Sequence, residues 1–242
     1  MVKSMQRYFT NQKVDNFLIL NSDDSYHIKK VMRMEINDNI EIVYDNKCYI
    51  CEITELTNDV KAKILTETIE NPELDIKVTI VQALVKEQKM DFIIQKTTEL
   101  GVDSIIPIST TRSVVKANGK EIKKLERWQK ICKEASEQSK RVVVPEVRSI
   151  MDIPSLSKLD NYDVKLLCTV NENSKNIKKV LSNIKTGVTM LMVVGPEGGF
   201  TQQEEQILID NGFIAVSLGS SVLRTETASL FLMSVIRYHD MR

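Results

Sequence analysis

The stretch Val188-Thr-Met-Leu-Met-Val-Val-Gly-Pro-Glu-Gly-Gly-Phe200 runs an unbroken apolar segment straight into a glycine-rich loop. Three of the chain's eight glycines stand in that loop, at 195, 198 and 199. A strand that is apolar at every position has both faces covered, as in a parallel sheet under helices. Open sheets of that kind bind ligands beyond the carboxyl ends of their strands, and glycines there let a ligand approach the backbone. The loop has neither the lysine of a triphosphate-binding G-x-x-x-x-G-K-[ST] nor the spacing of a dinucleotide G-x-G-x-x-G. A tight turn into a helix capped by Thr201 with Glu204 accounts for the same residues without a ligand.

Downstream, a second strand, Ile214 to Leu218, ends in Gly219-Ser-Ser-Val-Leu-Arg-Thr-Glu-Thr-Ala228, and an apolar helix over 226–239 follows. Thr225 suits a helix cap. Capping does not require Arg224 or Glu226, which add a cation and a carboxylate to the free N–H groups of a helix start. A surface salt bridge is the other reading of Arg224.

Upstream, Ile76 to Val85 reads as a strand, and Met90, Ile93, Ile94, Thr97 and Leu100 recur at helical spacing before Gly101. Further strands are predicted at Ser104–Ile108, Val142–Val147 and Val164–Thr169, with helices near 120–140, 175–184 and 201–211. Alternating strands and helices predict an α/β fold with a mostly parallel sheet. The first seventy residues differ: short strands at Phe17–Leu20, Asn39–Tyr44, Lys47–Ile53 and Val60–Leu65 surround one helix, Asp23–Met34, with Ser22 as cap and Ile28, Val31 and Met32 or Met34 inward. Asp45-Asn46 marks a tight hairpin. A small β-barrel of a kind used on RNA fits this pattern. The polar run Glu67–Glu73, with Asn71-Pro72, reads as a linker, giving domains of 1–72 and 73–242.

Hydrophobic residues at 42% and charged residues at 27% are those of a folded globular chain. Basic and acidic residues balance at 33 each, so the mean charge names no partner. Residues 112–148, however, carry 11 basic against 5 acidic side chains, a face for a polyanion or a solvated helix. Arg112, Lys116 and Arg141 flank that helix. Cys48 and Cys51 fall on opposite faces of one strand and cannot grip a single ion, so no metal is expected and both read as buried thiols. No apolar run reaches membrane length and the start MVKSMQRYF has no signal-peptide core, so a cytoplasmic protein is expected.

Taken together, Gly195–Phe200 and Leu218-Gly219 through Leu223-Arg-Thr-Glu-Thr-Ala228 resemble the SPOUT methyltransferases, specifically their RsmE-type 16S ribosomal RNA uridine N-methyltransferases. Weaker matches are His27-Ile-Lys-Lys-Val-Met-Arg33, Gln95 to Val102, Arg112-Ser-Val-Val115, and Glu134-Ala135 with Gln138 and Arg141. The resemblance implies an N-terminal PUA-like RNA-binding barrel and a C-terminal SPOUT domain with a trefoil-knotted, mostly parallel sheet. It implies S-adenosyl-L-methionine as cofactor, held by Thr169, Val194, Gly195, Gly198, Gly199, Leu218, Gly219, Leu223, Arg224, Thr225, Thr227 and Ala228. It also implies a homodimer acting on 16S ribosomal RNA or the small ribosomal subunit, methylating a uridine ring nitrogen at position three. Arg224 and Glu226 are the catalytic candidates. Lys30, Arg33, Lys86, Lys96, Arg112 and Arg141 are the RNA-binding ones. The alternative is a non-catalytic RNA-binding assembly factor with the same fold.

Overall fold

The shift in hydrophobic period near residue 73 corresponds to a division of the chain, in a computed structural model, into two compact units. Met1–Glu73 with Ser136–Val143 forms the first, and Leu74–Ala135 with Val144–Arg242 the second. The structure describes residues 5–69, 71–113, 121–171 and 174–241. Val114, Val115, Lys116 and Lys120, all drawn on above, lie outside the described residues.

The first unit holds β1 (Arg7–Phe9), β2 (Gln12–Val14), β3 (Phe17–Ile19), α1 (Ser22–Tyr26), β4 (Asn39–Tyr44), β5 (Lys47–Leu56) and β6 (Val60–Glu67). Their sheet order is β1-β4-β5-β6-β3-β2. The strands at its two ends, β1 and β2, are joined by only Thr10 and Asn11, so the sheet curls back on itself around Leu18, Ile40, Ile42, Ile53 and Ala62. Asp45 and Asn46 both adopt positive φ (50° and 58°), the type I′ geometry that matches strand twist. The predicted 23–34 helix is instead a short α1 capped by Asn21, not Ser22, and continued by a π-helix over His27–Met32. The wider π turn leaves Ile28 buried but turns Val31 to solvent, 58% exposed. His27 accepts or donates at Nδ1 to the Tyr8 hydroxyl, 3.0 Å away. Cys48 and Cys51 are free and sit in different apolar clusters, as opposite strand faces require. Burial pushes the Cys51 thiol up to about 12.

The second unit runs β7 (Lys77–Ala83), α2 (Glu87–Glu99), β8 (Ser104–Ser109), α3 (Glu121–Gln138), β9 (Glu146–Val147), β10 (Met151–Asp152), α4 (Ile153–Ser157), β11 (Val164–Cys168), β12 (Lys175–Asn176), α5 (Ile177–Leu181), β13 (Thr189–Val194), α6 (Gln202–Asp210), β14 (Ile214–Ser217) and α7 (Thr225–Asp240). Every pair in its sheet is parallel, in the order β10-β8-β7-β13-β11-β14-β12, with β9 also on β8. The central β7 and β13 are buried along almost their whole lengths, which explains why β13 is apolar from Met190 to Val194 and why β7 carries only Thr79 and Gln82 as buried polar residues. The α7 helix packs on α2 and touches β13.

The predicted strand Val142–Val147 survives only as β9. Val142 packs with Val43 and Cys48, and the N–H groups of Val142 and Val143 donate to the Glu73 carboxylate at 3.0 and 3.2 Å, which diverts them from any ladder. The predicted 175–184 helix shrinks to α5, capped by Asn176.

Candidate active site

Three loops leave neighbouring strands of the parallel sheet at their carboxyl ends: 168–170 after β11, 194–200 after β13 and 217–224 after β14. With Arg112 and the start of α7 they enclose a cavity of about 550 Å³. The structure brings together Thr169, Val194, Gly195, Gly198, Gly199, Leu218, Gly219, Leu223, Arg224, Thr225 and Ala228 in its wall. Thr227 and Glu226 do not line it: Thr227 is exposed, and Glu226 is paired with Lys89.

The glycine loop is shaped from three directions. Gly199 holds φ of +66°, a conformation costly for other residues, and a Cβ there would meet open space, as it would at Gly219. Gly195 lies under the Phe200 ring, where a Cβ would come within 3.0 Å. Arg112, nominated for RNA, donates through Nη1 to the carbonyls of Gly198 (2.9 Å) and Phe200 (3.1 Å). A Cβ at 198 would press on the Arg112 side chain at 3.3 Å, so bulk there disturbs this clamp first.

The expected capping box is present: Thr201 and Glu204 cap α6 reciprocally. Glu204 does more, since its other oxygen accepts from the Thr111 N–H at 2.7 Å and so anchors the segment carrying Arg112. Burial alone would raise the Glu204 carboxyl, but the backbone N–H bonds from Thr201 and Thr111 outweigh it and leave its pKa below the usual 4.5. A depressed carboxyl contributes stability above its unfolded value and loses it as pH falls through the folded value. Glu204→Ala is therefore expected to cost about 1–2 kcal/mol near neutral pH, with the gap to wild type closing as pH drops below 4.5. Chemical denaturation across that range measures it.

Thr225 does not cap α7. Arg224 occupies the N-cap position without a side-chain cap bond, and the Thr225 hydroxyl donates to the Gly195 carbonyl at 2.7 Å. Behind it stands Gln82 of β7, fully buried. Its Nε2 donates to Thr225 Oγ1 (2.9 Å) and its Oε1 accepts from Ser229 Oγ (2.6 Å). Because Gln82 donates to the threonine oxygen, the single threonine proton must go to Gly195. The chain Gln82–Thr225–Gly195 thus ties the glycine loop to the start of α7. Sequence reading missed Gln82; the signal was a lone amide in an otherwise apolar buried strand, which must find partners.

The electrostatics separate the two catalytic candidates. Lys89 of α2 binds Glu197 at 2.9 Å and Glu226 at 3.3 Å. The Glu197 bond, foremost among several influences, raises the Lys89 pKa. Glu226 is thereby occupied. Arg224 is exposed at the cavity wall, and its guanidinium makes no hydrogen bond or ion pair among the described residues. Burial pushes the Cys168 thiol in the wall up to about 12, so it is neutral.

Among the described residues, the backbone N–H groups of 220–223 are spent on no protein acceptor. Free donors, open space beside Gly199 and Gly219, and one free cation fit a flat heterocycle bearing a small charged tail.

Of the other RNA nominees, Lys30 and Arg33 are exposed, Arg33 at φ of 53° closing the π-helix. Lys86 is exposed before α2, and Lys96 is paired with Glu99 at 2.7 Å. Arg141 is 4% exposed, its guanidinium on Glu73 at 2.5 Å.

A parallel α/β domain with a ligand cavity of three strand-end loops, joined to a curled β domain, defines a two-domain enzyme of the nucleic-acid-modifying kind. The chain belongs to the RNA methyltransferase family: residues 72–237 match the RNA methyltransferase domain, and 20–65 the RNA methyltransferase PUA domain. It is similar to ribosomal RNA small subunit methyltransferase E of Bacillus subtilis, 38% identical, covering 97% of this chain and 96% of that one. It is also similar to the Mesomycoplasma hyopneumoniae protein of the same name, 35% identical over 95% and 98%. The crystal structure of the Neisseria gonorrhoeae enzyme of that name, bound to S-adenosyl methionine, superposes with a TM-score of 0.86 at 33% identity, covering 97% of each chain. The PUA-like first unit and the parallel methyltransferase domain are those expected from the motifs, and relatives named as enzymes set aside the non-catalytic alternative.

Proposed function

We propose that this protein transfers a methyl group from S-adenosyl-L-methionine to the N3 of a uridine in 16S ribosomal RNA. The observation that carries the reading is the cavity itself: three strand-end loops, two of them bearing glycines, with free backbone donors and one unpaired cation, Arg224, at its wall. The names and bound ligand of the relatives support it. The cofactor, when bound, supplies an electrophilic methyl on a sulfonium. The cradle fits it through Gly195, Gly198, Gly199, Leu218, Gly219 and the donors of 220–223.

The chain's task is with the base. A uracil ring nitrogen attacks poorly while protonated, so the site must favour its anion. Arg224, unspent on the protein, holds the uridine and stabilises negative charge as it develops on the ring. Lys89 fixes Glu226 and Glu197 to each other, so Glu226 keeps α7 and the glycine loop together. Arg112 keeps the loop in shape through the Gly198 and Phe200 carbonyls, and Gln82 does so from beneath.

Exposed Lys30 and Arg33 offer phosphate contacts in the first unit and Lys86 in the second, while Arg141 is committed to its ion pair. Phe231 and Tyr238, 37% and 80% exposed at a seven-residue spacing on α7, supply the face for a homodimer. Because β14 lies on the far side of β11 from β13, and the chain then returns so that α7 packs on α2 and β13, threading of the C-terminus through the knot is part of the same proposal. Among the described residues no helix is long and apolar enough to cross a membrane, which agrees with a cytoplasmic enzyme.

Calorimetric titration should show saturable binding of S-adenosylmethionine, and small subunits from a strain lacking the gene should gain one methyl on a uridine ring nitrogen, located by mass mapping. A folded protein that neither binds the cofactor nor methylates those subunits would overturn the assignment.

A further inference from the structure

Four charged side chains line the cavity: Arg112, Glu197, Glu205 and Arg224. Arg112 is spent on two loop carbonyls and Glu197 on Lys89. Arg224 is the free cation. Glu205, on α6, is the remaining carboxylate, and among the described residues no lysine, arginine or histidine lies within ion-pair distance of it. Its one recorded partner is neutral: the Thr169 hydroxyl donates to Oε1 at 2.6 Å. The Asn171 N–H donates to that same hydroxyl oxygen at 3.2 Å, which leaves the threonine proton directed at the glutamate. One carboxylate oxygen is thus oriented, and the other accepts no hydrogen bond from the described residues.

A half-buried carboxylate without a counter-ion is costly unless a cation arrives. We propose that Glu205 receives a cationic centre of the cofactor and that Thr169 orients it for this. The inference rests on the reading of the cavity as the S-adenosylmethionine site and adds what recognises the cofactor's charge. That cofactor has two positive centres, the sulfonium and the amino-acid ammonium. The demethylated product, S-adenosylhomocysteine, keeps only the ammonium, and 5′-methylthioadenosine has neither. All three share the adenosine.

The test is calorimetry of all three compounds on the full-length wild type and on Glu205→Gln, which keeps the side chain's shape and an oxygen for Thr169 to donate to. If the partner is the sulfonium, Glu205→Gln weakens S-adenosylmethionine about tenfold and leaves the other two unchanged. If it is the ammonium, S-adenosylmethionine and S-adenosylhomocysteine weaken alike and 5′-methylthioadenosine is unchanged. Thr169→Val should reproduce the pattern at smaller size, and both variants should melt near the wild-type temperature. Equal weakening of all three compounds, or no change in any, overturns the role of Glu205. Wild type that binds none of the three instead overturns the cofactor reading beneath it.

Discussion

Arg224→Ala is expected to leave S-adenosylmethionine affinity nearly unchanged while slowing single-turnover methyl transfer about 100-fold, the scale of losing one preorganised donor to a developing anion. The expectation follows from the guanidinium at the cavity wall having no partner among the described residues: nothing in the fold depends on it, so its removal spares the cradle. The N-cap position of Arg224 contributes no side-chain cap bond that alanine would lose. Arg224→Lys should recover only part of the rate, because a point charge replaces a planar fork. Raising the pH should partly rescue Arg224→Ala by supplying more uridine anion, whereas wild type gains less. If Arg224→Ala abolishes cofactor binding while the bound complex still reacts at the normal rate, the residue is a cofactor clamp and the charge-stabilising role falls.

Arg141→Ala should act on the fold instead. Arg141 and Glu73 are 5% and 7% exposed and form an ion pair inside the first unit, with Nε also bonded to Glu73 at 3.1 Å. The same carboxylate holds the Val142 and Val143 N–H groups. Removing one partner of a buried pair leaves an uncompensated charge, at a cost of about 3–5 kcal/mol. That is a large share of an ordinary domain's stability. Denaturant unfolding should show the loss in the absence of RNA. A variant as stable as wild type but weaker on RNA would restore the phosphate-contact role suggested by the motif. Replacing both partners, Glu73→Leu with Arg141→Met, should recover part of the stability, since two apolar groups leave no orphaned charge.

The same pair bears on the domain boundary. A cut at residue 72 separates Glu73 from the strands before it and leaves Ser136–Val143 in the other piece, although both belong to the first compact unit. Pattern and composition point to a boundary near 73 because the hydrophobic period changes there. They give no hint that an eight-residue segment far along the chain completes the first unit, since it does so through long-range partners: the ion pairs of Lys140 with Glu41 and of Arg141 with Glu73, and the buried Val142.

What local chemistry controls was legible. The runs at 76–85 and 188–194 announced a covered parallel sheet because burial on both faces selects apolar side chains, with Thr79 and Gln82 the buried polar exceptions. Asp45-Asn46 announced its turn, and Thr201 with Glu204 the capping box, because these are bonds between near neighbours. The glycines at 195, 198 and 199 marked the loop that walls the cavity, but what calls for them is the positive φ at 199 and the approach of the Phe200 ring and the Arg112 side chain at 195 and 198. Tertiary structure decided the rest. It turned Glu226 to Lys89 and left Arg224 free, two residues apart with identical local claims to the chemistry. It made Gln82 the support of the glycine loop, set Glu205 beside Thr169 across 36 positions of sequence, and buried Arg141. Sequence spacing fixes which face of a helix or strand a residue occupies. Which charges remain unpaired depends on partners that only the folded chain brings within reach.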